Sequence, residues 1–113
     1  MSQVTTHILD TSKGIPADGI QVLLEKPGPK GRWLAFAKGL SNKDGRISDL
    51  LKEGRVLKAG NYRLTFDTGS YFGKQKVKSF YPLVQIVFEI KDENHYHVPL
   101  LLSPHGYATY RGS

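Results

Sequence analysis

Two segments alternate apolar and polar residues almost without a break, and this period of two constrains the chain more than any other feature. In Asn61-Tyr62-Arg63-Leu64-Thr65-Phe66-Asp67, one face carries Tyr62, Leu64 and Phe66 and the other Arg63, Thr65 and Asp67. In residues 84–90, Val84, Ile86, Phe88 and Ile90 face one way. A strand needs this pattern to bury one side, whereas a helix would scatter those residues around its surface. Weaker strand signals lie at residues 5–10, 20–25, 33–40, 46–50, 95–102 and 107–111. In residues 33–40, Trp33, Ala35 and Ala37 are expected opposite Leu34, Phe36 and Lys38, and Phe80-Tyr81-Pro82 is expected to re-enter the sheet.

Turn chemistry separates these runs. Residues 11–19 are dense in turn formers, Pro27-Gly28-Pro29-Lys30-Gly31 breaks the chain, and Asn42-Lys43-Asp44-Gly45 predicts a tight hairpin. Further turns fall at 91–94 and 103–106. One helix of about two turns is expected near residues 70–76, capped by Thr68 or Ser70. About eight short strands, with turns roughly every 8 to 12 residues, predict an all-β fold: a β-sandwich or barrel with one short helix. The 113 residues fit one domain, residues 1–113, with no linker or internal repeat.

Composition narrows the chemistry. No cysteine is present, so disulfides, thiolate metal sites and a cysteine nucleophile are excluded. The net charge of +6 is spread out, with Lys74, Lys76 and Lys78 as its densest group. Aromatics are not interleaved with basic residues as a single-strand nucleic-acid surface requires, so a solvated basic surface is expected rather than a nucleic-acid partner. No membrane span and no leader are read, and a soluble cytoplasmic protein is the expectation.

Four histidines, at 7, 95, 97 and 105, are the main candidates for chemistry. His95 and His97 are two apart in a predicted strand and share a face. With His7 or His105 they would supply three imidazoles for zinc, but no His-Glu-x-x-His helix or fixed acidic ligand accompanies them, and no metal is assigned. A lone strand histidine is ordinarily structural, yet histidine also moves protons near neutral pH most readily. Arg46 follows the Asp44-Gly45 turn, where a guanidinium can hold paired carbonyls or stabilise an oxyanion. Neither a Gly-x-Ser-x-Gly nucleophile motif nor a phosphate-binding loop is present. Tyr107 and Tyr110 give the last strand an unusually structured composition for a chain end.

The run Tyr107-Ala108-Thr109-Tyr110-Arg111-Gly112-Ser113 resembles the Tyr-x-Thr-Tyr-Arg-Gly-Ser signature of the 5-hydroxyisourate hydrolases, in the transthyretin-like family. The similarity continues through Thr6-His7-Ile8-Leu9-Asp10-Thr11, Asp44-Gly45-Arg46, Tyr62-Arg63-Leu64, Phe80-Tyr81-Pro82 and residues 97–104. Transthyretin proper lacks the terminal signature. The resemblance implies a transthyretin-like β-sandwich that opens the cyclic amide of 5-hydroxyisourate during urate degradation, with no cofactor or metal. It implies a homotetramer, a dimer of dimers, with sites in a channel between dimers. The catalytic residues carried over are His7, Arg46, His97 and Ser113; the substrate-binding residues are His7, Arg46, Tyr110, Arg111 and Gly112. Either His7 or His97 would activate water, the other orienting it or protonating the leaving nitrogen. Arg46 would share the oxyanion charge, Tyr110 would touch substrate, and Ser113 would hold the water or the terminal strand. A non-catalytic transthyretin-like carrier is the alternative.

Overall fold

Burial follows the period of two where the sequence displays it most clearly: Tyr62, Leu64 and Phe66 are buried, and Arg63 and Thr65 between them are half-buried. The computed structural model describes residues 1–113. The strands are β1 (Val4–Asp10), β2 (Ile15–Pro16), β3 (Gln21–Pro27), β4 (Trp33–Leu40), β5 (Arg46–Ile47), β6 (Gly60–Phe66), β7 (Val84–Ile90), β8 (Tyr96–Ser103) and β9 (Gly106–Thr109). The helix α1 (Thr68–Lys74) lies between β6 and β7.

Two sheets form. One runs β4-β3-β6-β7, and the other runs β2-β1-β8-β9 with β5 also paired to β1. Ile8 and Leu100 from one sheet join Val22, Leu24, Leu64, Phe66 and Ile90 from the other in a single core, all of them fully buried. Of the sandwich and barrel that the strand pattern allows, the chain forms the sandwich, in keeping with the resemblance. Strand β1 is interior to its sheet: parallel β8 flanks one side, and antiparallel β2 and β5 share the other.

Several expectations change in detail. Residues 42–45 do not close a hairpin, because β4 belongs to one sheet and β5 pairs with β1 in the other. The turn instead carries the chain between sheets. Asn42 Oδ1 accepts the Asp44 and Arg46 amides at 2.9 and 3.0 Å, and the Gly45 carbonyl accepts the Ile8 amide at 2.7 Å. Strand β5 stops at Ile47 rather than continuing to residue 50, and Leu50 and Leu51 turn into the core. Neither Thr68 nor Ser70 caps α1. Asp67 does, its carboxylate accepting the Ser70 amide at 3.2 Å. Residues 80–82 form no strand; Phe80 is exposed, and its amide donates to the Pro104 carbonyl. Ile15 and Pro16, in a segment read wholly as turn, pair with β1.

The alternation expected in β4 fails for a physical reason. Leu24 pairs with Ala37 but Glu25 with Ala35, so Phe36 is an extra residue in a bulge. Phe36 and Ala37 consequently both pack against the core instead of facing opposite ways.

Gly45 fixes the entry to β5. Its φ of +73° lies in the left-handed region, and a Cβ there would collide with the Ile8 carbonyl. Gly45→Ala should therefore cost about 2 kcal/mol or more, from the conformational penalty and the collision together. A urea unfolding curve checks this; a midpoint equal to wild type would contradict it.

Candidate active site

Strand β1 has one face in the core and one outside it. Val4, Thr6 and Ile8 are fully buried on the inner side, which leaves Thr5 and His7 on the outer side. Register then selects their neighbours. Thr5 lies beside His97 of β8, and His7 lies between Pro99 of β8 and Arg46 of β5. Three residues separated by up to 90 positions are thus placed on adjoining strands by main-chain pairing alone.

The terminal segment completes the arrangement. Strand β9 pairs with β8 as far as Thr109, whose hydroxyl donates to the Pro99 carbonyl at 2.7 Å. The chain then turns back, and the Gly112 amide donates to the His97 carbonyl at 2.9 Å. A side chain at 112 would have no room, since a Cβ would sit 2.6 Å from His97 Cδ2 and 3.0 Å from Pro99 Cγ. Glycine at this position lets the segment lie against the imidazole.

His7, Arg46, His97, Tyr110, Arg111, Gly112 and Ser113 line one recess of about 390 Å³, a size suited to a small organic molecule. The seven residues that the resemblance implies for the site therefore line one recess. The Arg111 guanidinium stacks 4.3 Å over the Tyr96 ring and donates to the His95 carbonyl, which ties the segment to the start of β8. His105 lies in the turn between β8 and β9, away from this recess.

His95 and His97 do share a face, with rings stacked 6.0 Å apart between centroids. Between them stands a residue that no motif in the sequence marks. Thr5 Oγ1 lies 2.7 Å from His95 Nε2 and 2.7 Å from His97 Nδ1. Only the parallel register of β1 with β8 reveals this role. Nowhere do three His, Asp or Glu side chains gather in a metal-binding group.

Electrostatics favour a neutral His97. Burial lowers its pKa most, and His95, Arg46 and His7 push it the same way by making an added positive charge costly. The imidazole therefore keeps one ring nitrogen unprotonated at neutral pH, the state that a proton acceptor needs.

The HIUase/Transthyretin family model matches residues 4–112. The chain belongs to this family. A mouse 5-hydroxyisourate hydrolase is 45% identical, with 99% of this chain and 96% of that protein covered. The structure of Klebsiella pneumoniae 5-hydroxyisourate hydrolase aligns with a TM-score of 0.80 at 40% identity, over 97% of this chain and 92% of that one. Sea bream transthyretin, solved with thyroxine, aligns with a TM-score of 0.89 at 33% identity, over 98% and 95%. The transthyretin is thus at least as similar in backbone as the hydrolase, so the fold does not separate the two and the side chains in the recess must.

An imidazole NMR titration should place the His97 pKa below the ordinary histidine value of about 6.5. A value at or above that would remove the electrostatic case for a neutral His97.

Proposed function

We propose that this chain hydrolyses 5-hydroxyisourate, opening its cyclic amide to give 2-oxo-4-hydroxy-4-carboxy-5-ureidoimidazoline in urate degradation. The observation that carries this reading is the meeting of His7, Arg46 and His97 with Tyr110 to Ser113 in a single recess. The hydrolase names of close relatives in mouse and Klebsiella pneumoniae support it. The whole of residues 1–113 acts as one domain, since both sheets contribute to one core.

His97 takes a proton from water as the water oxygen adds to the amide carbonyl. The carbonyl oxygen becomes negative, and Arg46 stabilises it through charge and directed N–H groups. His7, paired in register with Arg46, hydrogen-bonds the substrate and orients it. When the carbon–nitrogen bond breaks, His97 returns the proton to the leaving nitrogen. Tyr110, Arg111 and Gly112 form the wall against which the flat substrate rests, and Ser113 holds the water. Every step uses water and the chain's own groups, without a covalent intermediate or a cofactor.

The working assembly is a homotetramer, a dimer of dimers. Exposed Phe80, Tyr81 and Tyr107, joined by edge-to-face ring contacts, support a partner-covered surface. The openness of the recess on one subunit agrees with a site closed by a neighbour. No helix is long and apolar enough to cross a membrane, and a cysteine-free chain suits the reducing cytoplasm in which we place the reaction. The likeness to transthyretin supports the fold equally well, but a carrier has no use for a neutral imidazole set beside a guanidinium.

His7→Ala, Arg46→Ala and His97→Ala should each lower kcat/KM by about 10² or more, with circular dichroism unchanged. The ultraviolet absorbance of freshly made 5-hydroxyisourate follows the reaction, and near-normal rates in all three variants would overturn the assignment. Removing residues 110–113 should abolish most activity while shifting the unfolding midpoint little. A fully active truncation would mean that the segment is only a strand end.

A further inference from the structure

The Thr5 contacts contain a constraint beyond packing. A hydroxyl has one hydrogen, so its two contacts at 2.7 Å cannot both be donations. If Thr5 donates to His95 Nε2, it accepts from His97 Nδ1–H, and His97 Nε2 is then a free lone pair. If Thr5 donates to His97 Nδ1, it accepts from His95 Nε2–H, and the His97 proton sits on Nε2. The Thr5 hydroxyl has no third partner for its hydrogen, so one contact is its donation and the other its acceptance, and the two histidines change tautomer together. Thr5 is buried, which keeps water from substituting freely for either partner.

We propose that Thr5 and His95 form a proton relay behind His97, so that His97 serves first as base and then as acid while remaining neutral. This rests on the hydrolase reading and deepens it. At rest, His97 Nδ1–H donates to Thr5 and the Thr5 hydroxyl donates to His95. When His97 Nε2 takes a proton from water, the Nδ1 proton passes to Thr5 Oγ1 and the Thr5 proton passes to His95 Nε2. The products are neutral His97 with hydrogen on Nε2, an intact Thr5 hydroxyl, a positive His95 and a negative substrate oxygen. Total charge is unchanged. As the carbon–nitrogen bond breaks, His97 Nε2–H gives its proton to the leaving nitrogen, and both relay protons move back.

The charged surroundings explain what the relay accomplishes. His7 on β1, Arg46 on β5 and Arg111 in the terminal segment line the recess with His97, whereas His95 lies outside it, in an adjoining cleft shared with Thr5, Arg46, His97 and Ser113. A cation on His97 would stand directly among these groups. Moving the charge to His95 takes it out of the recess and leaves Arg46 to act on the substrate oxygen. Thr5 and His95 are thus positioning residues that act through His97 and do not touch the substrate.

The test compares Thr5→Val, Thr5→Ser and His95→Phe by stopped-flow hydrolysis of 5-hydroxyisourate and by imidazole nitrogen NMR of the free protein. Thr5→Val and His95→Phe should each lower kcat about tenfold or more, with KM within about twofold of wild type. Thr5→Ser keeps the hydroxyl and should retain most of the rate, which also controls for folding at this buried position. The double variant Thr5→Val with His95→Phe should be no slower than the slower single variant, because one relay is broken once. In the wild type, NMR should show hydrogen on His97 Nδ1, lost from that position in Thr5→Val. Unchanged kcat in Thr5→Val or His95→Phe, multiplicative losses in the double variant, or a wild-type His97 protonated only at Nε2 would overturn the relay. A wild-type protein inert toward 5-hydroxyisourate would sink the hydrolase reading, and the NMR tautomers would still decide whether the three groups are coupled. If Thr5→Val does not fold, His95→Phe and the wild-type tautomer carry the decision.

Discussion

The parallel pairing of β1 with β8 is the interaction on which the rest depends. Seven register pairs, from Val4 with Tyr96 to Asp10 with Leu102, hold the first strand against the penultimate one. The inner residues of that pair, Ile8 and Leu100 among them, supply one half of the core. The outer residues include Thr5, His7 and His97, which stand at the candidate site. A slip of one residue would exchange these faces, placing imidazoles in the core and isoleucine in the recess. The hydrophobic requirement of the core therefore fixes the site to within one side chain. Asp10, fully buried at the end of β1, adds a lock by accepting the Tyr71 hydroxyl of α1 at 2.8 Å.

Much of this fold was legible in the sequence because its strands bury one face. Tyr62, Leu64 and Phe66, like Val84, Ile86 and Ile90, repeat the alternation that a half-buried strand requires. The failures fall where a tertiary neighbour decides the outcome. Residues 42–45 have hairpin chemistry, and nothing local says that Arg46 will pair with His7 rather than with β4. Phe36 breaks the β4 pattern because a bulge is a property of two strands at once. Asp67 outcompeted Thr68 and Ser70 as cap because Thr68 is drawn into the buried first turn.

The candidate site was legible to a different degree. Seven residues were marked by resemblance to a family signature, and they do converge on one recess. Thr5 is not legible in the sequence, because a threonine in a β-prone run has no distinguishing local feature. Its importance arises from standing opposite His97 in a parallel register, and a parallel partner nearly a hundred residues away leaves no trace in spacing. Gly112 could be marked by the signature, but the reason for glycine, contact with the His97 ring, required the chain's return path.

The bulge at Phe36 also bears on what the edges of this sheet can pair with. A strand edge with regular free amides and carbonyls invites another strand, and natural sheets blunt such edges with bulges and positive side chains. On β4 the extra residue interrupts the ladder, and Lys26 and Arg55 stand 5.5 and 5.3 Å from the Phe36 ring centre. At the opposite edge of the same sheet, β7 pairs with β6 over seven residues without a register shift. The sheet is therefore unequal at its two margins: one discourages strand addition, and the other offers a regular ladder. Growth into an open-ended fibre needs two receptive margins, whereas a closed pair needs only one.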